Sequence, residues 1–212
     1  SALNKNGDTV FTFVVRANSM SMLLAILKAG STPNVKNKHG NTALMIASEL
    51  GNSDAVETLI DFKAGPNVKN NLGNSAIHFA TRNKYADIVE TLVTHEADIN
   101  ARNKDGWTSI MFAARNNDST TLSVLLEYNA SPNIKSKRGW TPLMFAVRGG
   151  YHTLAKVLIN SGANVNAISS NRKSALYIAT QLNLKKLQQL LLSSGANLLT
   201  FDVPRGELQN LE

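Results

Sequence analysis

The chain has 212 residues, 43% hydrophobic and 6% aromatic, so Ala, Leu, Val and Ile carry a core of closely approaching helices. Its formal charge is +7 and it holds no cysteine, which excludes disulfides, thiolate zinc sites and cysteine nucleophiles and brings an acidic partner into view. No run approaches the roughly 18 apolar residues of a membrane span, so membrane insertion is not expected; a cytoplasmic address is the default, with a secreted effector or the cytosolic domain of a membrane protein as alternatives.

The first predicted element is a polar turn at Gly7. A hydroxyl at Thr9 and the apolar stretch Phe11-Thr-Phe-Val14 follow it. The same order returns every 33 residues. Glycines stand at Gly7, Gly40, Gly73, Gly106 and Gly139, and hydroxyls two positions later at Thr9, Thr42, Ser75, Thr108, Thr141 and Ser174. Val14, Ala47, Ala80, Ala113, Ala146 and Ala179 come next, and Asn34, Asn67, Asn100, Asn133 and Asn166 close the cycles.

The second unit explains the pattern physically. Gly40 suits a turn needing positive φ, and Thr42 can cap the helix that begins after it. Leu44, Ile46 and Ala47 form an apolar patch, with Ala47 admitting a neighbouring helix closely. Gly51-Asn52 breaks that helix. Asp54 favours the next helix start, and Val56, Leu59 and Ile60 recur at helical spacing. Neither short helix can bury its apolar face alone, so successive units must cover one another. The last unit has Arg172 in place of the glycine and ends Leu199-Thr-Phe201.

Segments such as Gly139-Trp-Thr-Pro-Leu-Met-Phe-Ala146 and Gly162-Ala-Asn-Val-Asn-Ala167 resemble ankyrin repeats, the former matching the Thr-Pro-Leu-His-x-Ala pattern. The resemblance covers 4–201 in six units: 4–36, 37–69, 70–102, 103–135, 136–168 and 169–201, with 202–212 as a C-terminal tail. It implies an all-α solenoid of stacked turn–helix–helix units whose turn tips and inner helices present the binding face. Met or Tyr often stands where the motif has His, and Pro142 is the only motif proline. Ser1, where an initiator Met would stand, suggests a natural N-terminus upstream, and Leu211-Glu212 suits a vector scar.

No catalytic constellation emerges. The resemblance gives His78 a structural hydrogen bond. His39, His95 and His152 lack metal-ligand spacing, and no phosphate loop or nucleophile elbow occurs. Asp87 and Glu90 form a carboxylate pair on a helix face that the resemblance makes solvated. Pro33, Pro66 and Pro132 rigidify the linking turns. No enzyme activity, cofactor or metal is expected.

On the implied binding face, basic residues recur in columns: Lys5, Lys38, Lys104 and Lys137; Arg16, Arg82, Arg115 and Arg148; and Lys36, Lys69, Arg102 and Lys135. With Arg138 and Lys173 these columns hold fourteen of the 22 Lys and Arg, against only Asp8, Glu49 and Asp105 of the 15 Asp and Glu. The face therefore carries +11 and the remainder −4. Such a stripe would steer an acidic partner, or serve only solubility. Trp107 and Trp140, the two tryptophans, fall at one register of adjacent units, roughly 10 Å apart at helix-packing distance. They suit an interface hot spot or a structural plug.

The expected partner-binding set is Trp107, Trp140, Arg82, Arg115, Arg148, Lys104, Lys137 and Arg138. The expected function is a monomeric, non-enzymatic adaptor holding an acidic protein or peptide. One alternative is a binder of nucleic acid or phosphorylated ligands through the same face. Another is the recognition module of a larger enzyme, channel or secreted effector.

Overall fold

The computed structural model describes residues 3–5 and 7–197. The last-unit segment Leu199-Thr-Phe201, the 202–212 tail and Asn6 lie outside the described residues. Twelve α-helices and no strand occur among the described residues, arranged as six pairs. The inner helices are α1 (Val10–Arg16), α3 (Ala43–Leu50), α5 (Ala76–Arg82), α7 (Ser109–Arg115), α9 (Pro142–Arg148) and α11 (Ala175–Gln181). Their outer partners are α2 (Met20–Lys28), α4 (Ser53–Asp61), α6 (Ala86–Thr94), α8 (Ser119–Glu127), α10 (His152–Asn160) and α12 (Lys185–Ser193). Each inner helix packs on its own outer helix and on the next inner helix, as in an all-α solenoid.

Local chemistry fixes these elements. The Thr42 hydroxyl accepts from the Met45 amide, that of Thr141 from Met144 and that of Ser174 from Tyr177, relieving free amides at the helix starts. Gly51 ends α3 in the left-handed region, and Asn52 then caps α4 by accepting from the Ala55 amide at 3.0 Å. The turn glycines do more than supply positive φ. A Cβ on Gly139 would stand 2.6 Å from the Ser170 amide nitrogen, and one on Gly73 would stand 2.7 Å from that of Lys104. Successive turns approach too closely for any side chain there.

One apolar core runs the length of the stack. Val14, Ala47, Ala80, Ala113, Ala146 and Ala179 are all fully buried within it. Small residues at this register let inner helices pack at the short distance their pairing requires.

Polar bonds repeat in parallel with the core. Asn71, Lys104, Lys137 and Ser170 each donate their backbone N–H to a carbonyl of the preceding turn, at 2.9–3.1 Å. The cycle-closing asparagines clip the end of the following pair. The Asn133 side chain, for example, donates to the Gly162 carbonyl and accepts from the Asn164 amide. Asn67 and Asn166 do the same two units earlier and one unit later.

Candidate protein-binding face

The basic columns are not equivalent. Lys36 donates to the Lys69 carbonyl, Lys69 to Arg102, Arg102 to Lys135 and Lys135 to Ile168, at 2.8–3.0 Å. Each spans 33 residues and satisfies a turn carbonyl of the next unit. These four cations thus staple neighbouring units together. The signal was in the sequence, because a column of long donors at strict register is what a ladder of backbone acceptors needs.

The inner-helix arginines divide into two kinds. Arg16 sits 3.7 Å from Asp8, and Arg82 sits 3.6 Å from Glu49. These are the two ion pairs among the described residues. Arg82 also lies over the Phe79 ring, 5.1 Å from its centroid. Arg115 and Arg148 have no carboxylate partner among the described residues. Their guanidinium groups lie over Trp107 and Trp140, at 5.4 and 5.5 Å. Both arginines are exposed, while both tryptophans are half-buried.

The tryptophans are joined by phenylalanines. Trp107 packs on Phe112 of its own unit at 4.9 Å and on Phe145 of the next at 4.4 Å. Phe145 in turn meets Trp140 at 5.0 Å. The rings incline by 40–44°, giving a continuous ladder Phe112–Trp107–Phe145–Trp140 with a cation over each indole. Part of each Trp thus packs within the fold, while neither indole N–H finds an acceptor among the described residues. Sequence reasoning missed Phe112 and Phe145, although Phe13, Phe79, Phe112 and Phe145 share one register. Lys173, at the tryptophan register of the last unit, repeats the motif with its ammonium 5.4 Å from the Tyr177 ring centre.

At the turn tips Lys104, Lys137 and Arg138 are exposed. Backbone bonds from Lys104 to Leu72 and from Lys137 to Asp105 hold the tips side by side. Of the expected set, then, Trp107, Trp140, Arg115 and Arg148 come together in one ladder. Lys104, Lys137 and Arg138 lie on the adjoining tips. Arg82 stands apart, held by Glu49.

His78 anchors the ladder from below. Its Nδ1 accepts from the Ser75 amide at 3.1 Å, which leaves Nε2–H to donate to the Ala101 and Trp107 carbonyls at 3.1 and 3.3 Å. Burial holds its pKa down to about 4, with nearby Lys69 adding to that effect against the backbone hydrogen bonds. This is the structural role the resemblance implied. The Asp87–Glu90 pair is exposed and occupied by neighbouring units: Asp87 accepts from the Ser53 hydroxyl at 2.7 Å, and Glu90 from the Tyr128 hydroxyl at 3.1 Å.

A hollow of about 550 Å³ between the first two helix pairs is lined by Val15, Arg16, Asn18, Leu50 and Gly51–Asp54. Among the described residues no group of three or more His, Asp or Glu could hold a metal ion, and no helix is long and apolar enough to cross a membrane.

Comparison with known proteins agrees with this architecture. The chain is similar to an ankyrin repeat domain from Acinetobacter baumannii, with 26% identity and a TM-score of 0.83 over 88% of this chain and 98% of that one. It is also similar to the ankyrin repeat domain of Bcl-3, a member of the IkappaB protein family, with 27% identity and a TM-score of 0.83 over 90% and 88% of the two chains. No match was found among the curated proteins. The family model described as "Ankyrin repeats (3 copies)" matches residues 1–70, 52–136 and 110–202. The chain thus belongs to the ankyrin repeat family, whose domains are in general non-catalytic modules of protein–protein interaction.

Proposed function

We infer that this chain is a monomeric, cytoplasmic, non-enzymatic adaptor that holds the acidic surface or segment of another protein. The contact is centred on Trp107, Arg115, Trp140 and Arg148 and flanked by Lys104, Lys137 and Arg138. The observation that carries the reading is the ladder itself: two exposed guanidinium groups held over indoles, with no carboxylate among the described residues paired to either. Desolvated Trp and Arg side chains are the commonest interface anchors, and a cation already positioned over a ring loses little entropy on meeting a carboxylate. Base stacking is less well supported, because Phe145 and the arginines already cover the indole faces.

The test is capture of partners from nuclease-treated lysate by the wild type and by an Arg115→Glu/Arg148→Glu variant, with binding remeasured on each purified protein. Association with the variant should slow and affinity should fall about tenfold or more at low salt. Its circular dichroism should be unchanged. Equal binding by a folded variant would move the contact to another surface. A catch that disappears with nuclease, and a steep log–log dependence on salt, would instead indicate a nucleic-acid ligand.

A further inference from the structure

The ladder has a spacing as well as a charge. With ring centres 4.4 Å apart from Trp107 to Phe145 and 5.0 Å apart from Phe145 to Trp140, the two indoles lie no more than 9.4 Å from each other. Arg115 and Arg148 each lie over the indole of their own unit, 5.4 and 5.5 Å from the ring centre, and packed inner helices stand about 8–10 Å apart, so the cations repeat at about that unit spacing. The turn tips add a second row, Lys104 and Lys137, also one unit apart.

A bound chain must bring its acidic groups to one side at that interval. In a polyproline II helix every third residue returns to the same face, after about 9.3 Å. An extended strand returns to one face after two residues or four, roughly 7 Å or 13 Å, and misses the interval on either side. An α-helix returns after seven residues, roughly 10.5 Å, but its carbonyls are consumed within the helix. The ladder also offers donors with no acceptor among the described residues, the indole N–H groups of Trp107 and Trp140 and the remaining guanidinium N–H groups. Polyproline II backbone carries free carbonyls to meet them.

We propose that the Trp107–Arg148 ladder selects a linear partner segment in polyproline II conformation with an acidic side chain at every third residue. This deepens the acidic-partner reading and rests on it. One carboxylate meets Arg115 and the next meets Arg148, with the intervening carbonyls accepting from the indoles. Proline suits the positions between, because it fixes the conformation before binding and lowers the ordering cost.

The probes are short fluorescent peptides of identical composition, one with Glu at every third position separated by Pro and Gln, the other with its Glu in one block. A third peptide is helical, with Glu at every seventh position. Anisotropy titrations at about physiological salt should give the regular peptide an affinity about fivefold or more above the block isomer, as two modest exposed charge contacts would. That preference should vanish in an Arg115→Ala/Arg148→Ala variant whose circular dichroism matches the wild type. Equal affinity for the regular and block peptides overturns the spacing rule while leaving an acidic partner in place. Tighter binding of the helical peptide overturns the conformation. Failure of all three peptides to bind the folded wild type overturns both this proposal and the reading beneath it.

Discussion

The N-terminal and C-terminal halves of the turn and inner-helix face use one register for different ends. In the first three pairs the exposed arginines are neutralised within the fold, Arg16 by Asp8 and Arg82 by Glu49. In the fourth and fifth pairs the residue at the Asp8 register is Trp107 or Trp140, and the arginine lies on a ring instead. A carboxylate cancels the charge it meets. An aromatic face holds a guanidinium in place without cancelling it. The same backbone therefore presents inner-helix arginines that are neutralised in one half and charged and pre-positioned in the other.

The junction between the halves is the most sensitive place to break this arrangement. His78 reaches from the third pair to the Ala101 and Trp107 carbonyls, and its pKa is lowered to about 4 from 6.5 by burial. A proton on Nδ1 would confront the Ser75 amide that now donates to it. Because the folded-state value lies below the unfolded one, the stabilisation is complete above about pH 6.5 and declines as pH falls toward 4, by about 3 kcal/mol in all. Urea unfolding across that window should show the decline in the wild type. A His78→Gln variant should lose most of the slope between pH 6.5 and 4; an unchanged slope would assign it to other groups.

Next in size is the contrast between two residues at one register. Trp107→Ala removes ring contacts to Phe112 and Phe145 and should cost about 2–3 kcal/mol, somewhat less than a fully buried aromatic. Asp8→Ala removes a half-buried ion pair with Arg16 and a hydrogen bond from the Thr12 hydroxyl and should cost about 1 kcal/mol. Comparable losses in the two variants would show that the halves are held in the same way after all. Binding measured on Trp107→Ala must accordingly be corrected for its unfolded fraction, which is why the arginine variants carry the functional tests.

The smallest expected effect sharpens the comparison. Glu49→Gln should release Arg82, already over Phe79, and carry the free-cation strip one unit toward the N-terminus. Affinity for the regular acidic peptide should rise about two- to fivefold, with stability within about 0.5 kcal/mol of wild type. An unchanged affinity would confine the site to the fourth and fifth pairs.

Much of the fold was legible because its causes are local or strictly periodic. Thr42 and Gly51-Asn52 mark helix ends through their own backbone chemistry. Ala80 and Ala113 mark close packing because nothing larger fits where inner helices meet. His78 was legible through the family motif. The site was only half legible. Trp107 and Trp140 stood out as the two tryptophans, but Phe112 and Phe145 read as ordinary apolar residues of an inner helix. The role of Phe145 as a spacer between the indoles exists only when two units are stacked.

By itself, the sequence determined the 33-residue register, the helix-forming and helix-ending positions and the columns in which charge accumulates. Those depend on neighbours a few residues away and on repetition. Only the tertiary structure decided which cations remain free. Lys69 and Arg115 stand in equally basic columns, yet Lys69 reaches the Arg102 carbonyl while Arg115 rests on Trp107. The reason is physical: a side chain's partner is set by what the next unit brings within its reach, and a column of like residues carries no record of that distance.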